Sequence, residues 1–249
     1  MRRPLFIIKT GAASPETVSR WGDFEEWIRQ GLAFDHGEIR VVRAAENEPL
    51  PDPARCRGAV ITGSHAMVTD RLSWSEAIAA WIPAMVAGGV PLLGICYGHQ
   101  LLAAATGGRV GYHPGGREVG TVMVELLPAG NRDPLFSALP PLFPAHAMHA
   151  QTVLSLPPGA ILLAGNSFEP HHAFRLGRSA WGVQFHPEYT AGVMRSEIAR
   201  DLESLTAAGP DPAGISGAVR DTPEAATLLR RFGALVRGEI PMVAACRVG

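Results

Sequence analysis

A mostly apolar run that ends in a Gly-X-Cys-X-Gly sequence constrains this fold more than any other feature. Residues 90–95 are rich in apolar side chains, and residues 100–105 are helix-forming. The pattern predicts a buried strand that turns directly into a helix at Cys96. Gly94 and Gly98 leave room for a sharp turn that presents one side chain, as in a nucleophile elbow with sulfur in place of the usual hydroxyl. At a helix N-terminus, the dipole and the free N–H groups favour a thiolate.

A cysteine at the end of an apolar strand is also often just a small buried hydrophobic residue. We give that interpretation to Cys56 and Cys246. The elbow by itself therefore leaves the role of Cys96 open, and a base for the thiol has to be found elsewhere in the chain.

Composition excludes several classes of protein. The 249 residues are 47% hydrophobic, which allows one large core. Charged residues make up 18% and the formal net charge is −1, so we expect no nucleic-acid partner. The apolar run near the N-terminus, residues 5–8, is too short for a signal peptide or a membrane span. Three cysteines argue against a disulfide framework, and we expect a soluble cytoplasmic protein.

The first half of the chain alternates strand and helix patterns. Strands are predicted at residues 5–8, 38–44, 58–62 and 90–95. One helix begins near Ser14, and its tryptophans, Trp21 and Trp27, are expected to face the core. A second helix begins near Ser73, and Pro83 should kink it or mark its irregular end. This alternation predicts βαβ units and a parallel sheet with helices on both faces.

After Gly107 the pattern changes to short strands separated by glycine and proline. These strands are predicted at residues 121–127, 153–156, 160–164, 173–176 and 180–185, with closing helices at 191–206 and 223–236. We therefore expect an α/β fold, a flavodoxin-like three-layer sandwich whose mostly parallel central sheet carries an antiparallel or mixed extension. Residues 1–249 would form one domain, with a core at about 4–207 and a C-terminal helix and tail at about 218–249.

A second motif supplies a base for the cysteine. His186 ends a strand pattern, and Pro187 stops the strand. Glu188 lies two residues after His186, so both side chains point to the same side of an extended segment. A carboxylate beside an imidazole orients the ring and stabilises its charged form, which is what a general base for a thiol requires. His-Pro-Glu alone is also compatible with a simple turn, but its position downstream of the elbow favours catalysis.

Two motifs together resemble those of class I (triad-type) glutamine amidotransferases, in particular free-standing domains similar to the glutaminase domain of GMP synthase. They are GICYGHQLL at residues 94–102 and GVQFHPE at 182–188, in the family's order and about 90 residues apart. The resemblance spans about residues 5–189. It implies a Cys-His-Glu triad in which Cys96 attacks the γ-carboxamide of glutamine, His186 transfers protons and Glu188 orients His186.

The resemblance also implies an oxyanion hole made of backbone N–H groups. One would come from Tyr97 and the other from Gly63 or Ser64, in the turn after the third strand. Many relatives carry two glycines in that turn, so which of Gly63 and Ser64 supplies the donor stays open.

Substrate contacts are implied at three positions. Gln100 matches a position that contacts glutamine in relatives. Met148 and His149 stand where relatives hold the amino-acid end of the substrate, commonly through a Ser-His pair. His149 is either a ligand-side group or a loop histidine. His171 and His172 lack a third ligand at a sensible spacing, so we expect no metal, and no nucleotide-binding motif or cofactor is indicated.

Three functions remain open at this point. The first is a glutaminase-type amidotransferase, with the acceptor activated by a synthase subunit expected to be a separate chain. The second uses the same triad on another γ-glutamyl small molecule, as a γ-glutamyl peptidase. The third is a binding or regulatory module that retains only the fold. A cysteine-containing hydrolase of the dienelactone type fits less well, because its acid normally precedes the histidine by many residues, whereas Glu188 follows His186 by two.

Overall fold

A computed structural model describes residues 3–207 and 211–242. The first part contains strands β1 (Leu5–Lys9), β2 (Ile39–Arg43), β3 (Gly58–Ile61) and β4 (Leu92–Ile95) and helices α1 (Pro15–Trp21), α2 (Phe24–Leu32), α3 (Ser73–Ala87) and α4 (Tyr97–Ala105). The middle contains seven strands and one short 3₁₀ helix (Gly130–Arg132); the strands are β5 (Arg109–Tyr112), β6 (Glu118–Leu126), β7 (Leu142–His149), β8 (Gln151–Ser155), β9 (Ala160–Gly165), β10 (Ala173–Leu176) and β11 (Ala180–Val183). Helices α5 (Ala191–Arg200), α6 (Leu202–Ala207), α7 (Pro212–Ala218) and α8 (Pro223–Arg237) complete the fold.

Nine of these strands form one central sheet, in the order β2-β1-β3-β4-β11-β10-β9-β6-β7. The five strands from β2 to β11 are parallel, and the other four pair antiparallel. Strands β5 and β8 form a separate antiparallel pair. The predicted α/β architecture, a parallel sheet with an antiparallel extension, is confirmed.

Both faces of the parallel region are covered, which explains why its strands are almost continuously apolar. Alternate residues of β1 point to opposite faces, with Leu5 and Ile7 on one and Phe6 and Ile8 on the other. Helices α2 and α8 pack on the Leu5 face, where the core includes Ile28, Leu32, Leu228 and Phe232. Helices α3 and α4 pack on the Phe6 face, where it includes Ile78, Ile82, Leu101 and Leu102. The C-terminal helix therefore shares the core of the sheet.

The helix predicted from Ser14 is wrong in one respect, because it is two helices. Gly22 adopts φ +82° at the end of α1, and α2 begins two residues later. Trp27 is buried as expected, whereas Trp21 is 37% exposed, with the guanidinium of Arg20 over its ring. The glycine interrupts the helical period, so the two tryptophans do not share a face.

Helix α3 includes Pro83 and continues to Ala87, so the proline does not end the helix, and a kink at Pro83 stays a prediction. A further helix prediction differs from the structure. The helix predicted at residues 191–206 is divided into α5 and α6, and an additional helix, α7, lies before the predicted helix at 223–236. Residues 208–210 and most of the predicted C-terminal tail lie outside the described residues. No helix within the described ranges is long and apolar enough to cross a membrane.

Strand β7 was not predicted from the sequence. It contains Pro144, which is normally evidence against a strand, but β7 is the last strand of the sheet. An edge strand tolerates proline because one of its sides forms no ladder. Strand β7 matters for the site, because Met148 and His149 lie at its end.

Candidate active site

Cys96 lies in a strained turn between β4 and α4. Its backbone has φ +49° and ψ −96°, a combination that non-glycine residues rarely adopt. A Cβ atom at Gly94 would lie 2.3 Å from the Gly98 carbonyl oxygen, and one at Gly98 would lie 2.5 Å from the Ile61 carbonyl oxygen. Both glycines are therefore needed for close backbone approach, and the predicted strand–turn–helix geometry around Cys96 is confirmed.

The sheet brings His186 to this turn. Strand β11 lies beside β4 in parallel register, with Gly182 opposite Gly94. The chain that leaves β11 therefore passes the end of β4, at the edge where α/β proteins bind ligands. The backbone N–H of His186 donates to the His146 carbonyl of β7 at 2.7 Å, which fixes this segment against the antiparallel part of the sheet.

Glu188 and Tyr189 hold the imidazole of His186. Its Nδ1 lies 2.8 Å from Oε1 of Glu188, and both side chains are buried. The ring of Tyr189 stacks on the imidazole with centroids 4.1 Å apart. Because Nδ1 is occupied by Glu188, Nε2 is the nitrogen available to Cys96. The structure thus brings Cys96, His186 and Glu188 together, as the sequence predicted.

The electrostatics of this group favour a charged imidazole. Burial lowers the pKa of His186, but the charges of Glu188 and Cys96 and their hydrogen bonds raise it to about 10. An imidazolium beside the sulfur favours the thiolate in turn, because each charge stabilises the other. The arrangement is suited to nucleophilic attack by sulfur at neutral pH.

The turn after β3 forms the opposite wall. The Thr10 hydroxyl donates to the Gly63 carbonyl at 2.9 Å, and the Ser64 hydroxyl donates to the Thr10 carbonyl at 2.7 Å. The side chain of Ser64 thus holds the turn in place. The N–H groups of Gly63 and Ser64 donate to no group within the described residues. Together with the N–H of Tyr97 in the first turn of α4, they are candidates for an oxyanion hole.

Gly63 is also close to the imidazole, which allows a direct test. A Cβ atom there would lie 3.1 Å from Cε1 of His186 and 3.9 Å from Cβ of Cys96. We expect Gly63→Ala to displace His186 or the turn by a few tenths of an ångström and to lower kcat about 10- to 100-fold. Steady-state kinetics would measure this effect. Gly217→Ala is the matched control, since no atom lies within 4 Å of a Cβ at that position. Unchanged kcat in Gly63→Ala would show that the reaction does not depend on the close approach of Gly63 to His186.

A cavity of about 680 Å³ opens beside Cys96. Its lining includes the predicted substrate residues Gln100, Met148 and His149. The amide nitrogen of Gln100 is already engaged, since it donates to the Gln151 carbonyl at 2.7 Å and to Oε1 of Gln184 at 3.0 Å. The carbonyl of Met148 lies 3.8 Å from the sulfur of Cys96.

His149 is a buried residue with internal partners. Its Nε2 lies 3.0 Å from Oε2 of Glu118, and its Nδ1 lies 3.0 Å from the Gln151 carbonyl. Both ring nitrogens are therefore engaged within the protein, and the ring can meet a ligand only through its carbon atoms. His172, in the turn before β10, also contacts Glu118, at 3.2 Å. The amide of Asn166 donates to the other oxygen of Glu118 at 2.8 Å.

This arrangement makes Glu118 the centre of a buried polar cluster beside the cavity. Burial raises the pKa of Glu118, but hydrogen bonds from His149, His172 and Asn166 bring it well below its usual range. A depressed carboxyl pKa stabilises the fold at pH values above the unfolded pKa of about 4.3, and this stabilisation is lost as the pH falls below that value.

Glu118→Gln should therefore destabilise the protein. Removal of the charge leaves two buried histidines without their carboxylate, which costs about 3 kcal/mol in the free energy of unfolding at neutral pH. Urea unfolding at pH 7 would measure this loss. Glu125→Gln, at an exposed position of the same strand, is the control. If the two variants were equally stable, the cluster would contribute nothing to the fold.

Some residues of the site were missed at the level of sequence. Gln184 donates from Nε2 to the sulfur of Cys96 at 3.6 Å and is fully buried. The signal was present, because Gln184 is a polar residue between Val183 and Phe185, two residues before His186. The pairing of Glu118 with His149 carried no such signal, since the two residues are 31 positions apart.

Comparisons with known proteins place these features in a family. Residues 23–203 match the family described as Glutamine amidotransferase class-I. The chain is 36% identical over 148 residues to "GMP synthase [glutamine-hydrolyzing]" of Porphyromonas gingivalis, covering 57% of this chain and 27% of that protein. It is 31% identical over 192 residues to the protein of the same name from Mycobacterium bovis, covering 75% of this chain and 32% of that protein. The chain thus spans about a third or less of the length of these relatives.

A solved structure shows the same fold. The crystal structure of a glutamine amidotransferase from Thermotoga maritima superimposes with a TM-score of 0.75 and 21% identity, covering 95% of this chain and 99% of that one. At this level of identity the likeness bears on the fold alone, and it supports the predicted flavodoxin-like sandwich.

Proposed function

This chain belongs to the class I glutamine amidotransferases, and on that premise we propose that it hydrolyses the γ-carboxamide of glutamine to glutamate and ammonia. The observation that carries the proposal is the pairing of Cys96 with a buried His186 whose other ring nitrogen is held by Glu188 at 2.8 Å. The relatives named above are described as glutamine-hydrolysing, which fits this chemistry.

The first half of the proposed reaction forms a thioester. The Cys96 thiolate attacks the γ-carbonyl carbon of glutamine, and the resulting oxyanion accepts hydrogen bonds from the N–H groups of Tyr97 and of Gly63 or Ser64. The carbon–nitrogen bond then breaks, and the His186 imidazolium gives its proton to the departing nitrogen. Ammonia leaves, and a γ-glutamyl thioester remains on Cys96 beside a neutral imidazole.

The second half returns the site to its starting state. His186 takes a proton from a water molecule, and the oxygen of that water attacks the thioester carbon. The carbon–sulfur bond breaks, glutamate leaves, and the Cys96 thiolate again faces the His186 imidazolium. Glu188 holds the ring through both halves, because each needs Nε2 directed at the reacting atoms.

Substrate binding is proposed for the cavity wall. The Oε1 atom of Gln100 accepts no hydrogen bond within the described residues, and Gln100 lines the cavity. It is suited to accept from the ammonium group of glutamine. Met148 contributes the wall next to the sulfur. We further propose that the ammonia passes to an acceptor that a separate synthase subunit activates.

A second candidate function is favoured by the size of the cavity. A volume of about 680 Å³ lies in the range of pockets for drug-sized ligands, and the cavity extends beyond the sulfur to Tyr112, Arg117 and Arg200. A γ-glutamyl peptide or amine would place its γ-glutamyl group at Cys96 and its remainder in this extension. The same triad would then release an amine or a peptide in place of ammonia.

A kinetic comparison distinguishes the two candidates. We expect kcat/KM for glutamine to exceed that for glutathione by about 100-fold or more, because a site for ammonia release is shaped around a small leaving group. The reverse preference would establish the γ-glutamyl peptidase. If the purified protein hydrolysed neither substrate, alone or with a candidate synthase subunit, the fold would serve only as a binding module.

A further inference from the structure

The side chain of Gln184 connects the nucleophile to the cavity wall. It is fully buried, and its two polar atoms have different partners. Its Nε2 lies 3.6 Å from the sulfur of Cys96, and its Oε1 accepts from Nε2 of Gln100 at 3.0 Å. The same nitrogen of Gln100 donates to the backbone carbonyl of Gln151 at 2.7 Å. These contacts form a chain from Gln151 through two side-chain amides to the sulfur.

The chain fixes the orientation of both amides. A backbone carbonyl can only accept a hydrogen bond, so the amino group of Gln100 must face Gln151. The second hydrogen of that amino group then points at Gln184, and only the carbonyl oxygen of Gln184 can accept it. The amino group of Gln184 is thereby directed at the sulfur of Cys96. A reversed amide at either position would set two donors or two acceptors against each other.

An N–H donor at this place distinguishes between the two forms of Cys96. Besides His186, the sulfur has the carbonyl of Met148 as a polar neighbour at 3.8 Å, and that carbonyl can pair only with the protonated thiol. The amino group of Gln184 can pair with the thiolate. A donor that meets the charged form stabilises it relative to the neutral form.

We propose that Gln184 is a catalytic residue that stabilises the Cys96 thiolate by hydrogen bonding, and that Gln100 is the positioning residue that directs its amide. The inference rests on the proposed function, since it takes Cys96 as the nucleophile. Gln100 would then have two roles, because its Nε2 donates to Gln184 while its Oε1 faces the substrate.

Two substitutions of Gln184 separate an electrostatic role from a structural one. Gln184→Met keeps most of the volume but removes the donor. Gln184→Glu keeps the volume and an oxygen that accepts from Gln100, but it sets a carboxylate against the sulfur. A purely structural role would make the Glu variant the milder of the two. The proposed role makes it the more severe, because a carboxylate repels the thiolate.

The readout is the pH dependence of Cys96 alkylation by iodoacetamide. We expect its midpoint to rise by about one pH unit in Gln184→Met and by more in Gln184→Glu, with kcat for glutamine roughly ten- to a hundredfold lower. The other charged or titratable groups around the sulfur stay the same in each variant. They are His186, Glu188 and Tyr189 after β11, His149 on β7, His65 after β3 and Arg200 on α5. The same cavity is also lined by Tyr97, Tyr112, His113, Arg117 and Asp201. Gln30→Met, at an exposed amide of α2, is the control.

Each outcome has a distinct meaning. If the wild-type protein shows activated alkylation and hydrolysis, and both Gln184 variants match it, the inference about Gln184 is wrong while the proposed function stands. If the wild-type Cys96 alkylates as an ordinary thiol and releases no ammonia, the proposed function fails. Thermal unfolding of each variant accompanies the measurement. Because Gln184→Glu retains the pairing to Gln100, it tests the inference even where Gln184→Met is unstable.

Discussion

Cys96→Ala should abolish ammonia release from glutamine, with kcat lowered by about 10⁴-fold or more. The reason is that no other group within the described residues is placed to form the thioester. Cys96 alone combines the strained turn at the end of β4, the charged His186 beside it and the position at the cavity. A coupled enzymatic assay for ammonia would measure the loss at saturating glutamine.

Cys56→Ala is the matched control for this substitution. Cys56 is a second free cysteine, buried in the core on the α3 and α4 face of the sheet. Burial, with a contribution from Asp52, raises its pKa to about 11, so its thiol is unreactive at neutral pH. We expect Cys56→Ala to retain activity. Ammonia release that survived in Cys96→Ala but disappeared in Cys56→Ala would assign the reaction to the other cysteine.

Glu188→Gln should have the second largest effect, with kcat lowered about 100- to 10⁴-fold. The carboxylate holds Nδ1 of His186 at 2.8 Å and, against the effect of burial, raises the pKa of that histidine. An amide carries no negative charge and stabilises the imidazolium much less than a carboxylate does, so the charged partner of Cys96 would be weakened. Steady-state kinetics with glutamine would measure the fall in kcat.

The pH dependence gives this second prediction an independent readout. With a folded pKa of about 10 against an unfolded value of about 6.5, His186 stabilises the fold fully below pH 6.5 and loses this contribution as the pH rises through 10. Separately from this stability effect, the pairing of Cys96 with His186 predicts that the wild-type protein keeps a plateau of Cys96 alkylation below about pH 8.5, the pKa of a free thiol. In Glu188→Gln we expect the plateau to shrink. Glu16→Gln, at an exposed position of α1, should leave both the plateau and kcat unchanged.

The sequence predicted the parts of the site that depend on local geometry. The strand–turn–helix around Cys96 follows from the apolar run and from glycines at 94 and 98, because backbone contacts exclude a Cβ at either position. The pairing of His186 with Glu188 follows from their spacing of two residues across Pro187. The parallel half of the sheet was predictable because strands and helices alternate there.

The rest of the site depends on contacts between distant segments. Strand β7 was not predicted because it contains Pro144, and a proline is normally evidence against a strand. The strand tolerates this proline because it lies at the edge of the sheet. The sequence leaves His149 as either a ligand-side group or a loop histidine, whereas it ends strand β7 and its ring nitrogens meet Glu118 on β6 and the Gln151 carbonyl. The orientation of the Gln184 amide depends on Gln100, 84 residues earlier in the chain. No local pattern encodes partners of this kind.

The γ-glutamyl thioester tests the central claim most directly. The protein would be mixed with glutamine, quenched in acid within the first turnovers, digested and analysed by mass spectrometry. We predict a γ-glutamyl adduct on the peptide that contains Cys96, absent without glutamine and discharged when the quench is delayed until the substrate is exhausted. Release of ammonia with no adduct at Cys96, or with an adduct on another residue, would contradict the account.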